Sequence, residues 1–138
     1  SPRYLNCDID RNSIVFNEHN IDWDLPLVLC EGPFDLVKCG ENATCLLGSE
    51  LSESSLLFDR IVSNSTPIII ALDSDTHKFK RPKLIKKLLE YDIDIKVVNL
   101  SDYPDPGSAP KDFMENAIMN AQPVDWNFNF STKLSLAV

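Results

Sequence analysis

Two acidic clusters stand out, each placed directly after a short apolar run. Leu27-Val28-Leu29-Cys30 leads into Glu31-Gly32-Pro33-Phe34-Asp35, and Ile68-Ile69-Ile70-Ala71-Leu72 leads into Asp73-Ser74-Asp75. Apolar runs of this length, bounded by turn signals, are those of strands buried on both faces of a parallel sheet. Ligands of an open α/β sheet bind outside the carboxyl ends of its strands. Glu31, Asp73 and Asp75 are therefore expected to converge on one sheet edge. Converging carboxylates repel one another unless a cation joins them, and hard oxygen donors of this kind suit Mg²⁺ or Mn²⁺. The chemistry such a cluster supports is phosphoryl transfer.

The elements that must position these acids follow from the pattern around them. A first strand is expected over Leu27 to Glu31, then a helix from about Phe34 to Cys39. A second strand, Ala43 to Leu47, ends at Gly48, and Ser52 stands where it could cap a helix running through Leu56, Leu57, Ile61 and Val62. Pro67 opens a third strand, Ile68 to Asp73. Pro82 is a good first helical position for a helix to Tyr91, with Leu84, Ile85, Leu88 and Leu89 on one face and lysines on the other. A fourth strand, Ile93 to Leu100, precedes the loop Tyr103-Pro104-Asp105-Pro106-Gly107-Ser108 and a last helix from Lys111 to Ala121. Strands alternating with helices imply an α/β domain: a central parallel sheet of about four strands, flanked by helices on both faces.

At 138 residues the chain is long enough for one core and too short for two. The expected organisation is an N-terminal extension over 1–25, the α/β domain over 26–122 and a tail or linker over 123–138. In the first part only Ser13-Ile14-Val15-Phe16 is strand-like. In the tail, Trp126-Asn127-Phe128-Asn129-Phe130 alternates as an extended segment would. No apolar run is long enough to span a membrane, and Ser1-Pro2-Arg3 opens no secretory leader, so a piece of a longer cytoplasmic protein is expected. Cys7, Cys30, Cys39 and Cys45 lack zinc-site spacing and read as small buried hydrophobes in a reducing compartment. The glycosylation-like triplets at Asn42, Asn64 and Asn129 are then chance matches.

The net charge of −8 disfavours free-standing nucleic-acid binding. Yet six of the thirteen basic residues, Lys78, Lys80, Arg81, Lys83, Lys86 and Lys87, fall directly after Asp75. They are either the wet face of an amphipathic helix or a contact for a nucleic-acid backbone or an incoming triphosphate; their place beside Asp75 favours the second reading. His77 reads as plain surface.

The ordered set of Glu-Gly-x-x-Asp after the first strand, Asp-x-Asp after the third and an acidic Pro/Gly loop after the fourth resembles the Toprim domain, a Rossmann-like fold shared by primases, topoisomerases and some nucleases. The resemblance spans residues 27 to about 121. Its detail is most similar to phage and bacterial-type DNA primases, through Glu31 to Asp35, Leu47-Gly48-Ser49, Asp105-Pro106-Gly107, Asn120-Ala121 and the opening Arg3-Tyr4-Leu5-Asn6. Thr76-His77-Lys78 departs from the small residue and glycine usual after Asp-x-Asp in bacterial primases.

That resemblance implies roles by position. Glu31 would be general acid/base or metal ligand, Asp73 and Asp75 would hold Mg²⁺ or Mn²⁺, and Asp35 and Asp105 would add further acidic contacts to the metal. The implied activity is synthesis of RNA primers from NTPs on a single-stranded DNA template, within a monomeric fragment of a protein that meets a replicative helicase in the bacterial cytoplasm. A Toprim nuclease would use the same carboxylates to hydrolyse, and a non-catalytic assembly module would not need them. A dehalogenase-type phosphatase fails on His77, where Thr or Val is wanted, and leaves Glu31-Gly32 unexplained. A receiver domain fails for lack of a clear fifth strand carrying a lysine.

Overall fold

The computed structural model describes residues 13–47, 51–73 and 80–124, with Lys80 and Arg81 described in backbone only. Within them a single five-stranded sheet runs in the order β2-β1-β3-β4-β5. The strands are β1 (Leu27–Cys30), β2 (Ala43–Cys45), β3 (Ile68–Ile70), β4 (Ile95–Val97) and β5 (Gln122–Val124). The first four are mutually parallel, and β5 pairs antiparallel to β4, with Lys96 opposite Pro123. The helices are α1 (Pro33–Leu36), α2 (Leu56–Asn64), α3 (Lys80–Glu90) and α4 (Lys111–Met119). The expected α/β fold is therefore present, with one strand more than expected.

All residues of β1, β2 and β3 are buried, because side chains alternate between two covered faces. Leu27, Leu29, Ile68, Ile70 and Ile95 point into one core layer, closed by Leu57, Phe58 and Ile61 of α2 and Leu84, Ile85 and Leu88 of α3. Val28, Cys30, Ala43, Cys45 and Ile69 point into the other, closed by Cys39, Met114 and partly buried Leu36, Phe113 and Ala117. Thus α2 and α3 cover one face, and α1 and α4 the other.

Several boundaries differ from the expected ones. The strands are shorter at their carboxyl ends: Glu31, Leu46, Leu47 and Ala71 to Asp73 lie beyond the strand residues. Ala71 and Leu72 stay buried there, so apolar content overstated the strand. The first helix is a single turn, Pro33–Leu36. The cap of α2 is Ser55, whose Oγ accepts the Phe58 N–H at 3.1 Å, and Ser52 instead shapes the preceding turn. Helix α3 begins at Lys80, two residues before Pro82. Ser13 to Phe16 forms no strand. Residues 15–23 are nonetheless tied to the domain: Val15 is in the core, Thr44 Oγ1 donates to the Phe16 carbonyl, and Thr66 Oγ1 donates to the Trp23 carbonyl, each at 2.6 Å. The Asn42 carboxamide receives the Asp22 N–H at 2.6 Å and donates to the Pro26 carbonyl at 2.8 Å. At the other end Val124 of β5 joins the core.

Arg3 to Asn6, Cys7, the Gly48-Ser49 turn, Asp75, His77, Lys78 and the aromatic tail from Trp126 lie outside the described residues.

Candidate functional site

The strand order dictates where a site belongs. The chain leaves β1 for β2 on one side, and later takes β3 and β4 on the other, so the connections diverge between β1 and β3. That divergence is the switch point at which open α/β sheets leave a crevice. Glu31 follows β1 immediately, and Asp73 lies three residues after β3. β1 and β3 are direct neighbours in register, Leu29 opposite Ile70, with the Ala71 N–H bonded to the Leu29 carbonyl at 2.8 Å. Sequence alone placed both acids at one edge, and the register now puts them on adjacent strands. Both are only half-buried as residues, yet Glu31 Oε2 and Asp73 Oδ1 are shielded from solvent.

The backbone of Glu31 is fixed from the side. Its carbonyl accepts the Leu47 N–H at 2.9 Å. Leu47 holds a left-handed φ of 55°, a conformation a branched side chain rarely adopts and which costs on the order of 1–3 kcal/mol. The strain sits just past the carboxyl end of β2, bonded to the backbone of the candidate acid.

Asp35 is 7% exposed and is committed to backbone amides. Its Oδ2 accepts the Gly32 N–H at 3.3 Å, closing the turn of α1, and its Oδ1 accepts the Gly107 N–H at 2.9 Å from the loop after β4. In that loop Asp105 caps the 3-10 turn Pro106–Ser108, its Oδ1 accepting the Ser108 N–H at 2.8 Å. A Cβ placed on Gly107 would stand 3.0 Å from Asp35 Oδ1 and 3.5 Å from Asp105 Oδ1. The two carboxylates therefore flank one glycine, and a side chain there would fit only if Asp35 gave way by a few tenths of an ångström. Lys38, which sequence reasoning missed, closes the arrangement: its Nζ donates to the carbonyls of Gly107 at 3.2 Å and of Ala109. Asp35 and Lys38 together grip one loop by an N–H and two carbonyls. No local sequence signal marks Lys38, since its partners are 69 and 71 residues away.

The thiols beneath this edge register its charge. Burial pushes the Cys45 thiol up to about 11, and the carboxylates of Asp35 and Glu31 add to the shift. Cys30 is raised further, first by its contact with Cys39 and then by burial. Cys30, Cys39 and Cys45 are all free and buried, inert packing rather than nucleophiles.

The basic helix divides. Lys83 and Lys86 of α3 are exposed, whereas Lys87 donates to the Leu51 carbonyl at 2.8 Å and braces the segment leading to α2. Neither the side chain of Lys80 nor any part of Lys78 is among the described groups.

The donor set, carboxylate oxygens on adjacent strand ends, is of the hard kind that Mg²⁺ and Mn²⁺ prefer. Among the described residues no three Asp, Glu, His or Cys side chains are placed to share one ion, and the third acid of the expected trio is Asp75. No protein-family model matches the chain, and no curated protein matches its sequence. Among the described residues no helix is long and apolar enough to cross a membrane.

Proposed function

We propose that this chain is the catalytic Toprim-type domain of a DNA primase, performing metal-dependent nucleotidyl transfer onto a primer on single-stranded DNA. The observation that carries the reading is the placement of Glu31 and Asp73 on adjacent strand ends at the sheet's switch point. Glu31, Asp73 and Asp75 would hold Mg²⁺ or Mn²⁺. When bound, the cation supplies charge neutralisation to phosphates that the acidic edge would otherwise repel.

The chain's own groups carry the rest. Glu31 would take the proton from the attacking 3′-hydroxyl at its carboxylate. Asp35 and Lys38 hold the loop that carries Asp105 against α1. Lys83 and Lys86 would meet the template backbone, a positioning contact without sequence information.

The test is an assay for both chemistries in the protein that carries this chain. Primer synthesis from NTPs on a single-stranded template should require divalent metal and vanish in Glu31→Gln, whose fold is checked by circular dichroism. Metal-dependent shortening of an end-labelled strand, with no synthesis, would replace the primase reading by the nuclease one. Neither activity in the wild type would overturn both.

A further inference from the structure

A pocket of about 280 Å³ lies between the end of β4, the outer half of α4 and the start of β5. Phe113 and Ala117 line it together with four carboxamides, Asn99, Asn116, Asn120 and Gln122. The described lining residues include no charged group, in a chain of net charge −8.

The hydrogen bonds of these carboxamides are only partly used. Asn99 Oδ1 accepts the Ser101 N–H at 2.8 Å. Asn120 Nδ2 donates to the Asn116 carbonyl at 2.8 Å and to Asn116 Oδ1 at 3.0 Å, and Gln122 Nε2 donates to the Asn120 carbonyl at 3.1 Å. Among the described residues this leaves the amide groups of Asn99 and Asn116 as donors, and the carbonyl oxygens of Asn120 and Gln122 as acceptors. Both donors and acceptors thus stand among the residues of a mostly apolar pocket that also offers an aromatic ring.

The pocket shares its end of the sheet with the acidic edge. Asn99 stands two residues past β4, Asp73 three past β3, and the strands are paired up to the Val98 N–H bond to the Ile70 carbonyl at 2.9 Å. One strand spacing, about 4.8 Å, separates the two strands.

We infer that this pocket receives a nucleobase, held in the orientation that sends its phosphates toward Glu31 and Asp73. Uncharged carboxamides match the mixed donor and acceptor edges of a base. The Phe113 ring supplies a stacking surface, and the volume suits one heterocycle rather than a polymer. The direction of the phosphates rests on the nucleotidyl-transfer reading, but occupation of the pocket by the base does not.

The experiment titrates the ¹⁵N-labelled chain, without metal, with AMP, GMP, CMP and UMP, and with ribose 5-phosphate in parallel. The side-chain amide signals of Asn99, Asn116, Asn120 and Gln122 are followed. At least one nucleotide should move them saturably in the millimolar range, while ribose 5-phosphate leaves them in place. Asn116→Ala, at an exposed position, should weaken that binding about fivefold, the worth of one hydrogen bond; Gln122→Ala is the second variant. No movement with any nucleotide up to about 10 mM, an affinity worth less than 3 kcal/mol, would overturn the inference. So would equal movement with ribose 5-phosphate. Because no metal is present, failure here leaves the acidic-edge reading standing, and failure of metal binding leaves the pocket standing.

Discussion

Replacing Gly107 by alanine tests whether the two loops are clamped together. The glycine needs no unusual backbone: among the described glycines, Gly40 is the one at positive φ. The objection to a side chain at 107 is purely spatial. Its Cβ would stand 3.0 Å from Asp35 Oδ1, 3.4 Å from the Phe34 carbonyl oxygen and 3.5 Å from Asp105 Oδ1. Asp35 cannot retreat without lengthening its 2.9 Å bond to the Gly107 N–H, and the Phe34 oxygen is backbone. A hydrogen bond to a charged acceptor is worth about 1.5–3 kcal/mol, and part of it must go. The expected loss of stability is about 2 kcal/mol, or a fall of roughly 1 M in the urea midpoint at an m-value near 2 kcal/mol/M. Gly32→Ala is the control, since a Cβ there meets nothing within 4 Å. It should stay within about 0.5 kcal/mol of wild type, because a less flexible unfolded chain and a slightly poorer helix cap nearly offset. If Gly107→Ala unfolds at the same urea concentration as Gly32→Ala, the clamp is not there.

Lys38→Met keeps the aliphatic stem but removes both bonds to the 107–109 loop; it should cost about 1–2 kcal/mol, speeding amide exchange at Ile69 in the central strand by roughly 5- to 30-fold through global unfolding and at Gly107 by at least as much. Lys83→Gln with Lys86→Gln should weaken single-stranded DNA binding and make its salt dependence shallower, by a slope of about one at most for each phosphate that is no longer neutralised; an unchanged slope returns the helix to a solvated face. Alkaline stability depends on the buried thiols. Cys45 is raised from its ordinary value to about 11, so the folded state retains a proton that the unfolded chain releases near pH 9. Its contribution is therefore fully present below pH 9 and is lost as pH rises through about 11. Cys45→Ala should flatten the fall in unfolding free energy over that window, measured by urea titration at successive pH values.

The parts of this fold that local chemistry decides were legible in the sequence, and the parts that distant partners decide were not. Leu27 to Cys30 and Ile68 to Ile70 announce buried parallel strands because both faces are apolar, and the acids after them mark the strand ends. The same reasoning ran Ile68 on to Asp73, since Ala71 and Leu72 are as buried as paired residues while lying past the pairing. β5 escaped notice because it has three residues, one of them Pro123. It exists only because β4 offers a free edge, the position where a missing N–H is tolerated. Ser52 and Ser55 are equally good caps by type. Ser55 is used because a start at Leu56 turns Leu57, Phe58 and Ile61 together into the core. Glu31 and Asp73 were readable as site residues from type and place. Lys38 was not, for its role lies wholly in a loop some seventy positions away.

The central claim is that Glu31, Asp73 and Asp75 share a divalent cation, and a Mn²⁺ titration of the chain followed by NMR line broadening tests it most directly. Signals of residues 31, 73 and 75 should broaden first, with those of Asp35 and Asp105 following, and Asp73→Asn should shift the effect to higher Mn²⁺. Uniform broadening across the chain, or none, would contradict it.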